Sequence, residues 1–364
     1  MSEKKTPLYD QHMALGGNMV NFGGYLLPTQ YSGIKQEHNA VRTVAGLFDV
    51  SHMGEFFISG QDAQIFLEKV TINDISSLSN GQAQYSAMCY KNGGIVDDLL
   101  VYKREHDFML VVNATNIEKD LNWLQSQVIG DVKIENKSND IGLVALQGPR
   151  SREILQTLTD TFLMNIQFYN FVESNLGGNK CIISRTGYTG ELGFEIYADS
   201  DKISGIWDGI MAAGKDKGLM PAGLGCRDTL RMEMKYVLYG NDIDETTTPI
   251  EAGLGWITRL GKDDFIGKDA LLKAKSNVTR RLVCLKMSER AIPRKGCPII
   301  VDNNIVGEIT SGTMSPSLDE GIGMGYLKEE LTNAGTKLLV DIRGRLKTST
   351  VIKPPFYRKG SLID

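Results

Sequence analysis

Apolar and polar positions change period several times along the chain, and each change marks an element. Behind a capping Asp62, Ile65, Phe66 and Val70 recur at helical spacing. Residues 84–90 and 95–103 are predicted strands joined by the turn former Asn92-Gly93-Gly94, and residues 108–113 are a third. Thr115 and Glu118 have the spacing of a capping box, ahead of a helical stripe of Ile117, Leu121, Leu124 and Val128. Residues 141–147 are a strand ending at Gly148-Pro149, and Pro149 suits the first turn of a helix carrying Ile154, Leu155 and Leu158. Strand patterns return at 180–184 and 193–198. A helix through Ile203, Ile206, Trp207 and Ile210 is stopped by Gly214, and another spans 225–235. Strands and helices alternate too irregularly for strict βαβ order, which predicts α+β layers rather than a doubly wound sheet.

The pattern changes after about residue 275. Residues 273–281, Lys-Ala-Lys-Ser-Asn-Val-Thr-Arg-Arg, are polar and predict a linker. Short strands follow at 282–287, 298–301, 305–310, 337–342 and 347–352, with hairpin turns at Asn303-Asn304 and Arg343-Gly344. Two domains are expected: an α+β region over 1–278 and a small all-β barrel over 279–364. No internal repeat is visible, although a duplicated fold can lie below sequence similarity.

Composition narrows the function. The 364 residues are 41% hydrophobic, enough for a sizeable core. A net charge of -4, with both signs spread along the chain, argues against nucleic acid and gives no pull toward an anionic membrane. No apolar run reaches the ~20 residues of a membrane span, and the start lacks the apolar segment of a secretory signal. The five cysteines are scattered without a Cys-x-x-Cys pair, so buried thiols in a reducing cytoplasm are expected. His12, His38, His52 and His106 have no metal-ligand spacing, so no metal is expected.

Candidate chemistry lies in three segments. In Gly93-Gly94-Ile-Val-Asp-Asp-Leu-Leu-Val-Tyr-Lys103, two adjacent carboxylates open an apolar strand. Alternation puts Asp98 with Val96, Leu100 and Tyr102, and Asp97 with Ile95, Leu99 and Val101. Buried ionised carboxylates need partners, so the pair is either a capped strand mouth or a reactive site. In Ser-Arg-Thr-Gly-Tyr-Thr-Gly-Glu-Leu-Gly-Phe-Glu-Ile-Tyr (184–197), Glu195 shares a face with Tyr197. It points either to solvent or to a ligand edge whose amino group and ring N–H match its two oxygens. In 221–234, Gly223-x-Gly225 lacks the third glycine of a dinucleotide loop. Arg227 there opposes the helix dipole, which implies a ligand or carboxylate partner. Asp49, Ser51 and His52 are close in sequence, but neighbours on a strand face apart and no nucleophile elbow is present. Asp242 and Asp244 lack the rest of a calcium loop and are expected to be turn or cap residues, while Trp256 is either core or a flat wall.

These segments, with Lys-Thr-Pro-Leu-Tyr at 5–9, residues 40–55, Asn113-Ala114, Gln147-Gly148-Pro149, residues 223–231, residues 309–316 and Pro-Phe-Tyr-Arg at 355–358, resemble in order the aminomethyltransferase family, the T-proteins of the glycine cleavage system. The resemblance implies transfer of a one-carbon unit to tetrahydrofolate from an aminomethyl group on the dihydrolipoyl arm of H-protein, releasing ammonia and giving 5,10-methylenetetrahydrofolate. It implies a folate-binding region of duplicated ferredoxin-like α/β layers and a C-terminal β-barrel. The family's catalytic aspartate matches Asp98, its pterin-binding carboxylate Glu195, and its substrate- or carrier-contacting arginines Arg227 and Arg358. Other folate-pocket positions match Met53, Tyr85, Tyr102, Asn113, Tyr188, Tyr236 and Trp256, and Asp98 and Arg227 belong to the same pocket. Tyr25 and Cys226 stand where the family usually has Trp and Ala, and Gly-Ile-Gly-Met-Gly at 321–325 replaces a more aliphatic run. A folate-dependent demethylase and a non-enzymatic folate-binding paralogue are rival readings, expected to lack the intact Asp-Asp and Gly-Tyr-Thr-Gly-Glu segments that this chain keeps.

Overall fold

The computed structural model describes residues 3–362; residues 1–2 and 363–364, the outer ends of the two expected domains, lie outside the described residues. Two sheets of the larger region are built on one plan. The first runs strand Gly54–Ser59, helix Ala63–Val70, strands Gln82–Cys89, Ile95–Lys103 and Phe108–Val112, helix Ile117–Gln127 and strand Lys133–Asn136. The second repeats strand, helix, three strands, helix, strand: Ile141–Gln147, Ser151–Leu155, Phe171–Leu176, Asn179–Ser184, Gly193–Asp199, Ile203–Gly214 and Met220–Pro221. In both sheets the strands lie in the order second, third, fourth, first, fifth, with Gly46–Asp49 inserted between first and fifth of the second sheet. The duplication is therefore real, and is carried by topology rather than by sequence.

The two sheets pack face to face. Phe48, Leu143, Ala145 and Tyr197 from one meet Ala83, Tyr102, Met109 and Val111 from the other in a shared core. Helices cover the outer faces: Ile203, Ile206, Trp207 and Ile210 on Phe194 and Ile196, and Phe66, Leu67 and Leu124 on Phe56, Val101 and Leu110. Each sheet is thus buried on both sides, as its apolar strands require. Six strands close the C-terminal barrel in the order Arg280–Met287, Glu320–Lys328, Asn304–Ser315, Pro298–Val301, Lys337–Ile342, Arg345–Ile352. A further core joins barrel to sheet, where Leu282, Met324 and Phe356 meet Ile95, Ile243 and Ile257.

Several local expectations are corrected. Ile65 is 69% exposed, because the buried face of its helix is Ala63, Phe66, Leu67 and Val70. Asp62 holds the N-cap position of that helix, but its carboxylate makes no capping bond and accepts from the backbone N–H of Asp131 instead. The Thr115–Glu118 box does not form, since a 3-10 turn over Ala114–Asn116 takes the helix start. The 273–281 linker is partly helical, as the tail of Lys268–Ser276. The hairpin after Val301 turns on Asp302 and Asn303, both left-handed, one residue earlier than expected. Among the described residues no helix is long and apolar enough to cross a membrane.

Candidate active site

Asp98 lies opposite Ala87 on Ile95–Lys103, on the side that carries Leu100 and Tyr102 into the core between the sheets. The alternation fails at the strand's start: Val96 packs with Leu99 and Val101, because the pairing slips at a bulge between Met88 and Cys89. The Tyr85 hydroxyl donates to Asp98 Oδ2 at 2.8 Å, and Asn113 Nδ2 donates to Oδ1 at 2.9 Å. Burial, reinforced by the neighbouring Asp97, pushes the Asp98 carboxyl up to about 7. Asp97 turns toward the helices and is fully buried. It accepts from Asn113 N at 3.1 Å, Asn113 Nδ2 at 2.9 Å and Asn116 Nδ2 at 2.7 Å.

Glu195 also faces the inter-sheet space and is buried, so it does not point to solvent. Thr186 donates to its Oε2. Behind it, the Tyr102 hydroxyl joins Tyr197 at 2.9 Å, Ser184 at 3.1 Å and Thr186 at 3.3 Å. Burial raises the Glu195 carboxyl, while Thr186 and Arg227 pull it back. Arg227, on helix Leu224–Glu233, holds its guanidinium 4.7 Å from the centre of the Tyr188 ring, and no carboxylate among the described residues pairs with it. Tyr188 stacks on Tyr236 at 5.4 Å, bonds the Val237 carbonyl through its hydroxyl, and feels the charges of both Asp98 and Arg227. Met53 packs on the same inter-sheet core. Trp256 is 61% exposed and sits 6.1 Å from the Tyr85 ring, which places it at the rim rather than in the core.

Tyr188, within reach of the charges of both Asp98 and Arg227, connects Asp98, Tyr85 and Asn113 to Arg227, and Arg227 in turn acts on Glu195 beside Tyr102. Arg358 stands apart on the exposed tail, donating to the carbonyls of Lys353 and Pro354 at 3.1 and 3.2 Å. Asp49 bonds His12 at 2.8 Å, not His52, and no Ser-His-Asp triad forms. Asp242 is more than a turn residue: it is buried, 2.7 Å from Arg231, with Thr310 donating to it.

Tyr169 escaped the sequence reading. It lies in a loop without periodicity, holds a left-handed backbone with φ of 62°, and faces Tyr236, Tyr102 and Glu195. A non-glycine residue held there marks local strain of the kind that gathers at functional sites. The hydroxyl of Thr186 was likewise invisible as a Glu195 partner. Both depend on chain segments far apart in sequence.

Fold and pocket together define a class: paired α/β layers enclosing a buried site with two carboxylates and a guanidinium, closed by a C-terminal barrel. Family profiles agree. The GCVT N-terminal domain matches residues 8–262, and the glycine cleavage T-protein C-terminal barrel domain matches 280–358. An aminomethyltransferase of Halalkalibacterium halodurans is 47% identical over 361 residues, covering 98% of this chain and 99% of that protein. One of Bacillus subtilis is 48% identical over 360 residues, covering 98% of this chain and 99% of the relative. The crystal structure of the glycine cleavage system aminomethyltransferase T from Bartonella henselae superposes with a TM-score of 0.93 at 32% identity, covering 99% of both chains. The chain belongs to the glycine cleavage T-protein family, and its activity is that of an aminomethyltransferase.

Proposed function

We propose that the pocket takes tetrahydrofolate as co-substrate and receives the aminomethyl group from the lipoylated arm of H-protein. The observation that carries this reading is that Asp98 and Glu195 face the space between the two sheets, with Arg227 in electrostatic reach of Glu195 and in no ion pair among the described residues. A reduced pterin offers an amino group beside a ring N–H, which suits a buried carboxylate such as Glu195. The glutamate end of a folate is anionic and suits Arg227. Flat rings between them suit Tyr188 and Tyr236, and Trp256 at the rim suits the arriving lipoyl arm.

In the reaction one C–N and one C–S bond break and two C–N bonds form. The two protons lost from the folate nitrogens end on ammonia and on the carrier thiol, so no oxidant or reductant is needed. The carbon gains positive charge as the first bond breaks. Asp98, fixed by Tyr85 and Asn113, stabilises that charge and accepts a folate proton. Arg358 on the exposed tail serves the carrier protein. Four buried thiols, Cys89, Cys181, Cys226 and Cys284, with the half-buried Cys297 and no disulfide among the described residues, support a reducing compartment, the cytoplasm.

The test supplies H-protein loaded with carbon-13-labelled aminomethyl groups, together with tetrahydrofolate. Labelled methylenetetrahydrofolate should appear with one ammonia and one newly freed lipoyl thiol per turnover. Turnover with a methyl sulfonium or methylamine donor in place of loaded H-protein would overturn the reading.

A further inference from the structure

We propose that Asp97 and Asp120 form a proton-sharing pair behind Asp98, which holds one fixed negative charge against it and is tied to it through Asn113. The inference rests on the reading of Asp98 as the reacting carboxylate.

Asp97 and Asp120 are both fully buried, Asp97 on its strand and Asp120 on helix Ile117–Gln127. Asp120 lies one turn after Asn116, whose amide donates to Asp97 at 2.7 Å, so the two carboxyls stand on the same side of the helix start, and no N–H or hydroxyl among the described residues donates to Asp120. Two buried carboxyl groups so placed share a proton. It resides on Asp120, because Asp97 already receives three N–H bonds from Asn113 and Asn116 that favour its charged form. Burial and the charge of Asp97 push the Asp120 carboxyl up to about 11. Lys119 lies 3.8 Å from Asp120, but its ammonium is committed to the Val96 carbonyl and the face of the Tyr239 ring.

The other groups facing the trio are phenols. Tyr85 and Tyr188 face Asp98, Tyr239 faces Asp97 and Asp120, and Tyr90 faces Asp120, with Glu245 beyond the last two. Burial raises all four phenols, so they stay neutral at physiological pH. The negative charge next to Asp98 is therefore that of Asp97, with the Lys119 ammonium 3.8 Å from the far carboxyl, Asp120. Asn113 Nδ2 lies 2.9 Å from Oδ1 of both Asp97 and Asp98, which fixes the spacing across which that charge acts. Repulsion from Asp97 makes Asp98 a stronger proton acceptor near neutrality, where a general base works best. Asp97 and Asp120 touch no reacting atom and are positioning residues.

The experiment is kcat/KM against pH, with the full chain, loaded H-protein and tetrahydrofolate. Titration of the substrates is common to all variants and cancels in the comparison. The wild-type acid limb should fall near pH 7. In the isosteric double variant Asp97→Asn/Asp120→Asn both charges are gone, and the limb should move down by about one pH unit or more, a tenfold change in the acid constant. In Asp120→Asn the amide still donates to Asp97, so the limb should stay at its wild-type position. Thermal melts confirm that each variant is folded. A limb that stays in place in the double variant overturns the proposal and leaves the pair a brace for the 113–116 turn. A limb that survives in Asp98→Asn belongs to another group and overturns the reading of Asp98 beneath it.

Discussion

Asp98 and Glu195 are both carboxylates on apolar strands, yet their partners differ. Asp98 receives a phenol and an amide, sits beside a second charge, and is pushed up to about 7. Glu195 receives a single hydroxyl and faces Arg227. The first arrangement suits proton transfer and the second suits recognition. Asp98→Asn keeps the shape and removes charge and basicity. It should lower kcat by about 10²–10⁴-fold with tetrahydrofolate affinity largely kept, as read from steady-state rates and calorimetry. Glu195→Gln presents an amide donor where the pterin also donates. It should weaken tetrahydrofolate binding by roughly 2–4 kcal/mol in the same calorimetry, and unchanged affinity would remove Glu195 from the pterin role. Both carboxylates were legible because a charge in an apolar strand stands out. Tyr169 and Asp120 were not, since a loop tyrosine and one acid on an amphipathic helix look ordinary until other segments fold against them.

At the scale of elements, most of the strand periodicity and the Gly214 helix stop survived, and two helix-start signals did not. The strand 320–328 went unread because Gly321, Gly323 and Gly325 break its apolar pattern. The structure gives a reason at Gly321, where a Cβ would lie 1.8 Å from the Ala291 carbonyl, so the strand needs a bare backbone there. Gly94 has a similar role in the turn before Asp97 and Asp98. A Cβ there would meet the Glu245 carbonyl at 1.9 Å, and the next N–H, of Ile95, bonds the Asp244 and Thr247 carbonyls at 3.1 Å. Gly94→Ala should force the 244–247 loop off the strand. The expected cost is about 1–3 kcal/mol in urea unfolding, with a loss of activity that exceeds the loss of folded protein. The capping box failed for a related reason. Asn116, at the helix start, spends its amide on Asp97, so a tertiary contact overrode a local preference.

The whole molecule is held by a buried network that crosses the domain junction. Glu233 on helix Leu224–Glu233 accepts from Ser315 and Ser317 of the barrel region and pairs with Arg42 at 2.7 Å, while its backbone carbonyl accepts from Tyr357 N of the tail. Its side chain is fully buried, and hydrogen bonding and charge from His38, with Arg42, hold its carboxyl down at about 2 against an ordinary 4.5. A depressed carboxyl contributes stability that is complete above pH 4.5 and is lost as pH falls through about 2. The shift corresponds to about 3 kcal/mol. Glu233→Gln should therefore be less stable than wild type at neutral pH, with the gap closing between pH 4.5 and 2 in denaturant titrations. A gap independent of pH would show that the charge is not what joins the domains. Arg358, on the tail anchored by this network, should act on the carrier alone. Arg358→Ala should raise KM for loaded H-protein at low salt, leave folate Kd unchanged, and lose its effect as salt screens the charge. Equal KM values at low ionic strength would return Arg358 to a solvated tail position.

Local rules, read from the chain alone, determined the strands and most helices, the barrel composition and the two carboxylates out of place in apolar surroundings. Each follows from side-chain period or from the cost of burying charge, and neither requires knowledge of distant contacts. Only the tertiary structure decided that two sheets repeat one strand order, because topology is conserved where residues are not. It alone decided that Glu195 is enclosed, that Asp97 and Asp120 are both buried beside the Asn116 helix start, and that Thr186 and Tyr169 come up to Glu195. Those facts arise where segments separated by tens of residues are pressed into the same low-dielectric space, and there a group's partners, rather than its neighbours in sequence, set its charge and its role.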